Sequence, residues 1–360
     1  MIGAPPSARP IRVIDSSSVG EARRHALAVA EHARLDVDRC GKVSIIATEL
    51  AVNLHLHGGG GELLVSPLPG PVPGVQLLAI DRGKGMYDIE RCLTDGYSTA
   101  GTAGQGLGAI RRLSTHFDLH SQARTEQFGG TVVLSQVLGQ TTAQGLPTCP
   151  EFELGAVCVP LDGETVCGDG WTSDQREGRC TVLVADGLGH GILAAEASEA
   201  ALNVFRLRGA ARPAEFMALA HTALRPTRGA AAALAEIDPA RGTIRYAGVG
   251  NIAGRVVTGE TTRSMISHNG TLGLHTTRSV EAQYTWPVGG VLVMASDGLL
   301  TNWSLDRHPG LTRRHPAVVA AVLYRDWSRG RDDTTVVVAR AGRLVPLIPP
   351  TPLPQVADQP

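Results

Sequence analysis

Residues 184–191 read VADGLGHG, in which an apolar run passes into a glycine-rich turn at Asp186. Three comparable acidic segments stand in the same half of the chain: GDGW with Asp169, SDGL with Asp297, and DDTT with Asp332 and Asp333. Each aspartate lies at or just beyond the end of a predicted strand, where the backbone mounts a side chain rigidly. One Asp-Gly pair predicts only a turn, because that dipeptide is common in turns. The four acidic segments together, in this order along the chain, predict a functional site.

The chemistry of such a set follows from the repulsion between carboxylates. Carboxylates gathered from different strands repel one another unless cations lie between them, and oxygen ligands favour hard ions such as Mg²⁺ or Mn²⁺. Glycine after Asp186 and after Asp297 lets other backbone approach closely, and the Gly187 carbonyl is itself a candidate metal ligand. Two ions about 4 Å apart lower the pKa of a bridging water and hold phosphate oxygens for in-line attack. We therefore predict a metal-dependent phosphoester hydrolase in the C-terminal half.

The four acidic segments resemble, in order, the SpoIIE/RsbX branch of the PPM-type serine/threonine phosphatases, over residues 151–341. The resemblance implies a β-sandwich flanked by helices, with a dinuclear Mn²⁺ or Mg²⁺ centre that hydrolyses phosphoserine or phosphothreonine. It implies that Asp186 is the catalytic bridging ligand and Gly187 the carbonyl ligand. It gives three further metal or metal-water ligands: Asp169, Asp297 and Asp332. Asp332 is preferred over Asp333 because it matches the first acidic residue of the family's D-[ND]-x-T pattern.

Other residues near these segments receive supporting roles. We expect His190 to support packing or the turn and not to transfer protons. Gly250 and Asn251, in GVGN, either shape the site or form a plain hairpin turn, and we favour the hairpin. No arginine near the acidic segments stands out as a phosphate clamp.

The N-terminal half carries three pieces of a nucleotide site. Glu49 and Asn53 lie four apart on a predicted helix, DRGKG begins at Asp81, and GQGLG at residues 104–108 opens a second helix. An aspartate at a strand end can accept a hydrogen bond from an adenine amino group, and the glycine run offers free N–H groups to phosphates. Asn53 offers an oxygen to phosphate-bound Mg²⁺, and Glu49 is placed to polarise a nucleophile hydroxyl.

Alternatives to this nucleotide site are weaker. GQGLG is not a dinucleotide fingerprint, because no strand immediately precedes it. Glu49 and Asn53 alone would predict only a solvated helix face, and the downstream motifs outweigh that interpretation. The stretch HLHGGGG favours a glycine-capped helix end over a metal site.

These residues resemble the GHKL ATPase family, and residues 95–113, DGYSTAGTAGQGLGAIRRL, resemble its RsbT-type switch kinases. The resemblance implies Mg-ATP binding and γ-phosphoryl transfer to a serine or threonine of a STAS-domain antagonist protein. It makes Glu49 the base, Asn53 the Mg²⁺ ligand and Asp81 the adenine reader. It places these glycines at the nucleotide: Gly83, Gly85, Gly104, Gly106 and Gly108. Lys84 departs from the family, where proline is frequent, and the absence of a phosphoacceptor-histidine helix argues against a histidine kinase.

The length of 360 residues favours two domains, because single cores seldom grow so large. The predicted fold class is α/β (α+β): a GHKL α/β sandwich at residues 11–138 and a PPM-type β-sandwich flanked by helices at residues 151–341. The polar, proline-broken residues 139–150 are the predicted linker. Two tails complete the chain: residues 1–10 and 342–360.

Hydrophobic patterning places the elements within these domains. In the first half, a capping box at Ser18 and Glu21 predicts the start of one helix, and residues 38–57 form another. Five strands are predicted there: 11–14, 62–67, 75–81, 117–121 and 131–137. The second half has helices at 190–208 and 213–224 between strands at 152–159, 164–167, 180–185, 232–237, 243–248, 291–295 and 334–339.

Composition excludes several classes of protein. The formal net charge of -1 provides no field to gather nucleic acid or anionic lipid. No run reaches about 18 apolar residues and the start MIGAPPSARPIR is unlike a signal peptide, so we expect a cytoplasmic protein that does not bind membranes. The six cysteines include no CxxC pair, which favours free thiols over zinc ligands.

The sequence as a whole predicts a bifunctional partner-switching regulator of stress signalling. One domain would phosphorylate a STAS-domain anti-sigma antagonist and the other would dephosphorylate it, with a sigma-regulatory complex as a further partner. Because simultaneous activities would waste ATP, we expect nucleotide or a partner to gate one domain. Two alternatives remain: a phosphatase whose ATP-binding domain only senses or docks, and a scaffold that has lost catalysis.

Overall fold

The structure, a computed structural model, describes residues 8–68, 72–93, 106–140, 152–209, 211–259, 261–276 and 280–342. Three five-stranded antiparallel sheets and their helices form a stack of layers within these residues. Gly104, most of the predicted linker and most of both tails lie outside the described residues.

The N-terminal sheet contains all five strands that patterning predicted there. Its order is β1-β2-β3-β5-β4. The strands are β1 (Pro10–Val13), β2 (Gly61–Leu68), β3 (Gly74–Ile80), β4 (His116–Gln122) and β5 (Gly130–Leu138). The helices of this half are α1 (Ser16–His32), α2 (Val37–Leu56), α3 (Ile89–Cys92) and α4 (Gly106–Leu113).

Helices α1 and α2 cover one face of this sheet. The stripe of Ile46, Leu50 and Leu54 on α2 is buried against it, as its spacing predicts. The predicted capping box of α1 is wrong by three residues. Asp15 is the N-cap, its Oδ1 accepts the Ser18 backbone N–H, and Ser18 closes the box. Asp15 lies three residues before Ser18, and as the N-cap residue it sets the start of the helix.

The C-terminal half is a sandwich of two sheets, with orders β15-β10-β9-β8-β7 and β12-β11-β16-β17-β6. The strands are β6 (Phe152–Val159), β7 (Asp169–Arg176), β8 (Arg179–Gly187), β9 (Ala230–Asp238), β10 (Thr243–Val249), β11 (Ala253–Thr258), β12 (Thr261–Met265), β13 (Gly270–Thr271), β14 (His275–Thr276), β15 (Ala282–Thr285), β16 (Val291–Ala295) and β17 (Thr334–Ala341). The helices are α5 (Ile192–Arg208), α6 (Pro213–Ala223) and α7 (Pro316–Trp327). Helices α5 and α6 cover the outer face of the first sheet.

One predicted strand of this half is wrong, and the sequence prediction missed α7 together with β7, β11, β12 and β15. Residues 164–167 form a loop, and the strand begins only at Asp169. The loop is held by the Asp333 carboxylate, which accepts the backbone N–H groups of Leu161 and Gly168. Helix α7 was not predicted, because its sequence PAVVAAVLYRDW is apolar on nearly all sides and lacks a helical stripe.

Helix α7 lies between two sheets, which explains its uniform hydrophobicity. One side packs on the second sandwich sheet, and the other packs on the face of the N-terminal sheet that α1 and α2 leave open. Strand β3 is therefore buried on both faces: Leu77 points to the helices α1 and α2, whereas Leu78 joins the core around α7. One hydrophobic cluster, centred on α7, therefore contains residues of both halves.

No helix of the described ranges is both long and apolar enough to cross a membrane. The described cysteines are all free thiols, four of them buried: Cys40, Cys158, Cys167 and Cys180.

Candidate active sites

The acidic centre comprises Asp169, Asp186, Asp297 and Asp332, which the sandwich brings together. Asp169 and Asp186 lie opposite each other in the register of β7 and β8. Asp297 follows β16, and Asp332 precedes β17 in the facing sheet. The carboxylates interact: burial, together with the charges of Asp169, Asp297 and Asp332, raises the pKa of Asp186 to about 9.

The other members of the acidic centre are perturbed in the same direction. Burial raises the pKa of Asp169 to about 7, against an opposing hydrogen bond from Ser296. Burial and the Asp332 charge raise the pKa of Asp297, while Asn251 and Arg329 act to lower it. The fold thus places negative charge where it is costly, a property typical of functional sites.

Ser296 and Asn251 hold two of these carboxylates in place. Ser296 Oγ donates to Asp169 Oδ2 at 2.6 Å and accepts the Thr335 backbone N–H at 2.9 Å. Asn251 Nδ2 donates to Asp297 Oδ2 at 2.6 Å. The sequence interpretation missed Ser296, although it directly precedes Asp297 in SDGL.

The predicted hairpin at Gly250 and Asn251 is wrong. Strands β10 and β11 belong to different sheets, so residues 250–252 cross from one sheet of the sandwich to the other. Gly250 adopts a positive φ of 92°, and a Cβ there would lie 2.4 Å from the Ala231 Cβ. This crossing aims the Asn251 side chain at Asp297.

The adjacent Asp332 and Asp333 have different surroundings. Asp333 is buried, and its two oxygens accept the Leu161 N–H at 2.7 Å and the Gly168 N–H at 2.8 Å. The Asp332 carboxylate accepts only the neighbouring Asp333 N–H among the hydrogen bonds of the described residues. The sequence preference for Asp332 as the ligand therefore agrees with the free coordination positions of its carboxylate.

The glycines after the aspartates are required by close packing. A Cβ on Gly187 would lie 1.9 Å from the Ala194 carbonyl oxygen, at the start of α5. A Cβ on Gly298 would lie 2.0 Å from the Asp333 carbonyl oxygen. Any side chain at either position would push the aspartate before it out of the acidic centre.

His190 lies beside the acidic centre and contacts a second loop. Its Nδ1 lies 2.6 Å from Glu164 Oε1, which joins the turn after β8 to the loop between β6 and β7. This contact gives His190 the turn-supporting position expected from the sequence.

The acidic centre fits cations only if other oxygens complete their coordination. No three His, Cys, Asp or Glu side chains of the described residues are close enough to hold one ion by themselves. Mg²⁺ and similar ions, however, are commonly held by one or two carboxylates while water supplies the remaining ligands. The raised pKa values of Asp169 and Asp186 reflect burial and repulsion between carboxylates, which a bound cation would offset.

In the N-terminal domain, Glu49 and Asn53 face the start of α4. A Cβ on Gly106 would lie 3.2 Å from Glu49 Oε2 and 3.5 Å from Asn53 Oδ1. Asn53 Nδ2 is buried and has no hydrogen-bond partner in the described residues. A buried amide without a partner costs free energy, so this atom points to a ligand or water in the same space.

Asp81 is oriented by backbone groups. Its Oδ1 accepts the Gly83 N–H at 2.8 Å and the Thr131 N–H at 3.0 Å, which leaves Oδ2 for a further donor. Burial raises the pKa of this carboxyl. The sequence interpretation missed Thr131, since its role depends on a neighbouring strand.

The predicted nucleotide-loop glycines occupy tight positions. Gly85 has a φ of 74°, and a Cβ on it would lie 2.3 Å from the Gln122 carbonyl oxygen. A Cβ on Gly83 would lie 3.0 Å from the Gly58 carbonyl oxygen. Gly108 is buried in α4. The structure thus brings α2, the Asp81 loop and the α4 start together.

Comparison with known proteins agrees with the division of the chain into an N-terminal and a C-terminal domain. Residues 14–135 match the family described as histidine kinase-like ATPase domain. Residues 176–342 match the family described as stage II sporulation protein E (SpoIIE). Over 114 residues the chain is 29% identical to the serine/threonine-protein kinase RsbT of Bacillus subtilis (strain 168), covering 31% of this chain and 86% of that kinase.

Solved structures are also similar. A chain from work described as "The bacterial stressosome: a modular system that has been adapted to control secondary messenger signaling" is 29% identical, with a TM-score of 0.50, and covers 53% of this chain and 100% of its own. The phosphatase domain and regulatory fragment of SpoIIE from Bacillus subtilis is 16% identical, with a TM-score of 0.45, and covers 91% of this chain and 94% of its own.

The chain therefore joins a histidine kinase-like ATPase domain, homologous to RsbT, to a SpoIIE-type PPM phosphatase domain. Both resemblances seen in the sequence are confirmed. The combination is the architecture of a partner-switching regulator.

Proposed function

We propose that the protein phosphorylates and dephosphorylates a STAS-domain anti-sigma antagonist, using one domain for each reaction. Its phosphatase centre holds two Mn²⁺ or Mg²⁺ ions, and its ATPase domain uses Mg-ATP. The convergence of the acidic centre carries this proposal, because all its members act electrostatically on Asp186. Such repulsion persists in a fold when a bound cation offsets it.

In the phosphatase domain, Asp186 and the Gly187 carbonyl would hold the ions. Asp169, Asp297 and Asp332 would hold the ions or their waters. Ser296 and Asn251 keep Asp169 and Asp297 in position, through the hydrogen bonds described above. Bound there, the ions would supply an acidified water and a clamp on the phosphate oxygens.

In the ATPase domain, Asp81 Oδ2 accepts the adenine amino group, and Gly83 and Gly85 leave room for the base. Asn53 holds the Mg²⁺ that accompanies ATP. Gly104, Gly106 and Gly108 offer backbone N–H groups to the phosphates at the α4 start. Glu49 Oε2 accepts the proton of the substrate hydroxyl as the phosphoryl group is transferred.

The test follows phosphate on a STAS-domain protein by intact mass, first with Mg-ATP and then with Mn²⁺ after ATP is removed. Wild-type protein should add one phosphate and then remove it. Glu49→Ala should add no phosphate but should still remove phosphate from substrate that the wild type has phosphorylated, whereas Asp186→Asn should add phosphate and fail to remove it. Asp174→Asn is the matched control, since Asp174 is a buried aspartate of β7 that pairs with Arg176 outside the acidic centre. Absence of both gain and loss in the wild type would refute the proposal.

A second candidate function is a phosphatase whose ATPase domain only senses nucleotide. The packing around α7 favours it: Arg325 Nη1 lies 3.5 Å from the Asp81 carbonyl oxygen. Four residues on, the Arg329 N–H donates to the Gly298 carbonyl oxygen, beside Asp297. Phosphate release that depends on ATP or ADP, equal in wild type and Glu49→Ala, with no phosphoryl transfer in either, would favour the sensor.

A further inference from the structure

Two buried thiols lie side by side next to the acidic centre. Cys158 belongs to β6 and Cys167 lies just before β7, and their sulfur atoms are 3.7 Å apart. The Cys158 sulfur also lies 3.8 Å from the carbonyl oxygen of Asp169. Neither thiol takes part in the two reactions proposed above. The pair is therefore a reactive group beside the acidic centre that those reactions leave without a role.

The spacing of the two thiols suits a disulfide bond. Bonded sulfur atoms are about 2.0 Å apart, so sulfurs that start at 3.7 Å have to approach by about 1.7 Å. The connecting loop allows this movement on one side of Cys167, because residues 162, 163, 165 and 166 are exposed to solvent. Closing the bond then draws Cys167 towards β6.

A small oxidant has a route to this pair of thiols. Cys158 lines a cavity of about 210 Å³ between β2 and β6. A water molecule needs about 10–15 Å³ of such space, and hydrogen peroxide is little larger than water. The two side chains are only 6% and 4% exposed, for Cys158 and Cys167 respectively, so a bulky oxidant is excluded. The cavity therefore admits a peroxide to Cys158 first.

Gly168 connects the thiols to the acidic centre. Its N–H donates to Asp333 Oδ2 at 2.8 Å, and its carbonyl oxygen accepts the Gly187 N–H at 3.2 Å. A Cβ on Gly168 would lie 2.7 Å from Asp333 Oδ2, so this backbone has little room of its own. A displacement of Cys167 therefore moves Gly168 against Gly187 and also moves Asp169, the next residue along the chain.

We propose that Cys158 and Cys167 form a reversible disulfide when a peroxide is present, and that this bond switches the phosphatase off. The proposal rests on the phosphatase activity proposed above and adds its regulation. The bond pulls Gly168 and Asp169 out of the positions in which the acidic centre holds its ions. Misplacement of catalytic groups by about 1 Å is enough to slow a reaction strongly.

The oxidation takes place in two steps that balance. Hydrogen peroxide transfers one oxygen to the Cys158 sulfur, which becomes a sulfenic acid, and one water leaves. The Cys167 sulfur then attacks the Cys158 sulfur, the S–O bond breaks, and a second water leaves. The two thiols lose two electrons and two protons, and one peroxide becomes two waters. A dithiol reductant restores both thiols by exchange.

The test oxidises the metal-free full chain with hydrogen peroxide, removes the peroxide with catalase, and then assays p-nitrophenyl phosphate hydrolysis in Mn²⁺. Intact mass should fall by the two hydrogens of one disulfide, and a peptide map should join the segments that contain Cys158 and Cys167. The kcat/KM should fall about tenfold or more. Dithiothreitol should reverse both changes.

Single alanine variants show whether this pair is responsible. Alanine removes the sulfur without burying a hydroxyl group. Cys158→Ala and Cys167→Ala should each keep after peroxide the kcat/KM that the same variant has when reduced. Cys180→Ala is the matched control, since Cys180 is a buried free thiol of β8. It should lose activity after peroxide as the wild type does.

The outcomes separate this proposal from the phosphatase proposal. Oxidised wild type without the joined peptides would overturn the disulfide. Joined peptides with an unchanged kcat/KM would overturn the switch, as would equal losses of activity in Cys158→Ala and wild type. Joined peptides in a wild type that has no phosphatase activity even when reduced would support the disulfide and refute the phosphatase.

Discussion

The acidic centre and the interface between the domains both bury charged side chains, but they treat charge in opposite ways. At the interface, Arg325 and Asp326 form two hydrogen bonds of 2.9 and 2.8 Å, and both side chains are almost fully buried. His308 Nε2 lies 3.1 Å from the same carboxylate, and its Nδ1 lies 2.6 Å from Gln122 Oε1 of the N-terminal domain. Here the negative charge is matched by positive charge.

The pKa values express this difference. Burial acts to raise the pKa of Asp326, but contacts with His308 and Arg325 outweigh it, so the pKa lies below its ordinary value. Burial raises the pKa of Asp186 to about 9, and its closest charged neighbours are other carboxylates. A buried charge with its partner avoids the cost of an uncompensated charge, whereas a buried cluster of like charge marks a place where a ligand is expected.

The largest expected effect is at the interface. Asp326→Asn should lower the free energy of unfolding by about 3–5 kcal/mol, because it leaves the buried Arg325 without its partner. Urea denaturation measures this change. Asp162→Asn, which breaks the exposed pair with Arg12, is the control and should cost about 1 kcal/mol or less. Equal small effects would mean that the interface charges are not neutralised as described.

A smaller loss, this time of activity, is expected from the groups that hold the acidic centre. Ser296→Ala should lower kcat/KM for an aryl phosphate by about 10–100-fold, because Asp169 loses the hydrogen bond that orients it. Steady-state kinetics in saturating Mn²⁺ checks this prediction. Ser304→Ala, at an exposed 3₁₀-helix N-cap, should have no effect on kcat/KM. An unchanged rate in Ser296→Ala would show that Asp169 needs no orientation.

The comparison also predicts a substitution that stabilises the protein. In metal-free protein at pH 8, Asp169→Asn should raise the free energy of unfolding by about 0.5–2 kcal/mol, because it removes a buried charge from a repelling group. The variant should gain less stability from Mn²⁺ than the wild type does. Destabilisation of the metal-free protein would mean that the carboxylates of the acidic centre do not repel one another.

The smallest expected effect is a pH dependence of opposite sign in the two regions. Burial lowers the pKa of the interface residue His120 to about 4, so the unfolded chain binds its proton first. His120 therefore costs stability as pH falls from about 6.5 to 4. Asp169 and Asp186 have raised pKa values, so in metal-free protein they cost stability as pH rises above about 4.

In protein saturated with Mn²⁺, where the carboxylates of the acidic centre no longer oppose it, His120→Gln should flatten the decline of the urea midpoint as pH falls from about 6.5 to 4. In the metal-free wild type, addition of Mn²⁺ should flatten the decline of the urea midpoint as pH rises. If neither His120→Gln nor Mn²⁺ altered the dependence of the urea midpoint on pH, the opposite pH dependences assigned to the two regions would be contradicted.

The sequence predicted those parts that local patterns determine. All five N-terminal strands follow from alternation or apolar runs, and the Asp-Gly segments place Asp186 and Asp297 at strand ends. These features need only a short window of sequence. The choice of Asp332 over Asp333 as a metal ligand came only from the family resemblance. The hydrogen bonds of Asp333 agree with that choice.

What the sequence did not predict depends on distant neighbours. Helix α7 has no polar face because a second domain covers it, and nothing local indicates that domain's presence. Ser296, Thr131 and Asn251 act through partners at least 46 residues away in the chain.

Divalent-metal uptake by the nucleotide-free full chain, measured by isothermal titration calorimetry with Mn²⁺, tests most directly whether the acidic centre is built for cations. We expect two ions per chain in the wild type and weakened or lost uptake in Asp186→Asn, with Asp174→Asn behaving as the wild type. No Mn²⁺ uptake by the folded wild type, or uptake that Asp186→Asn leaves unchanged, would contradict the assignment.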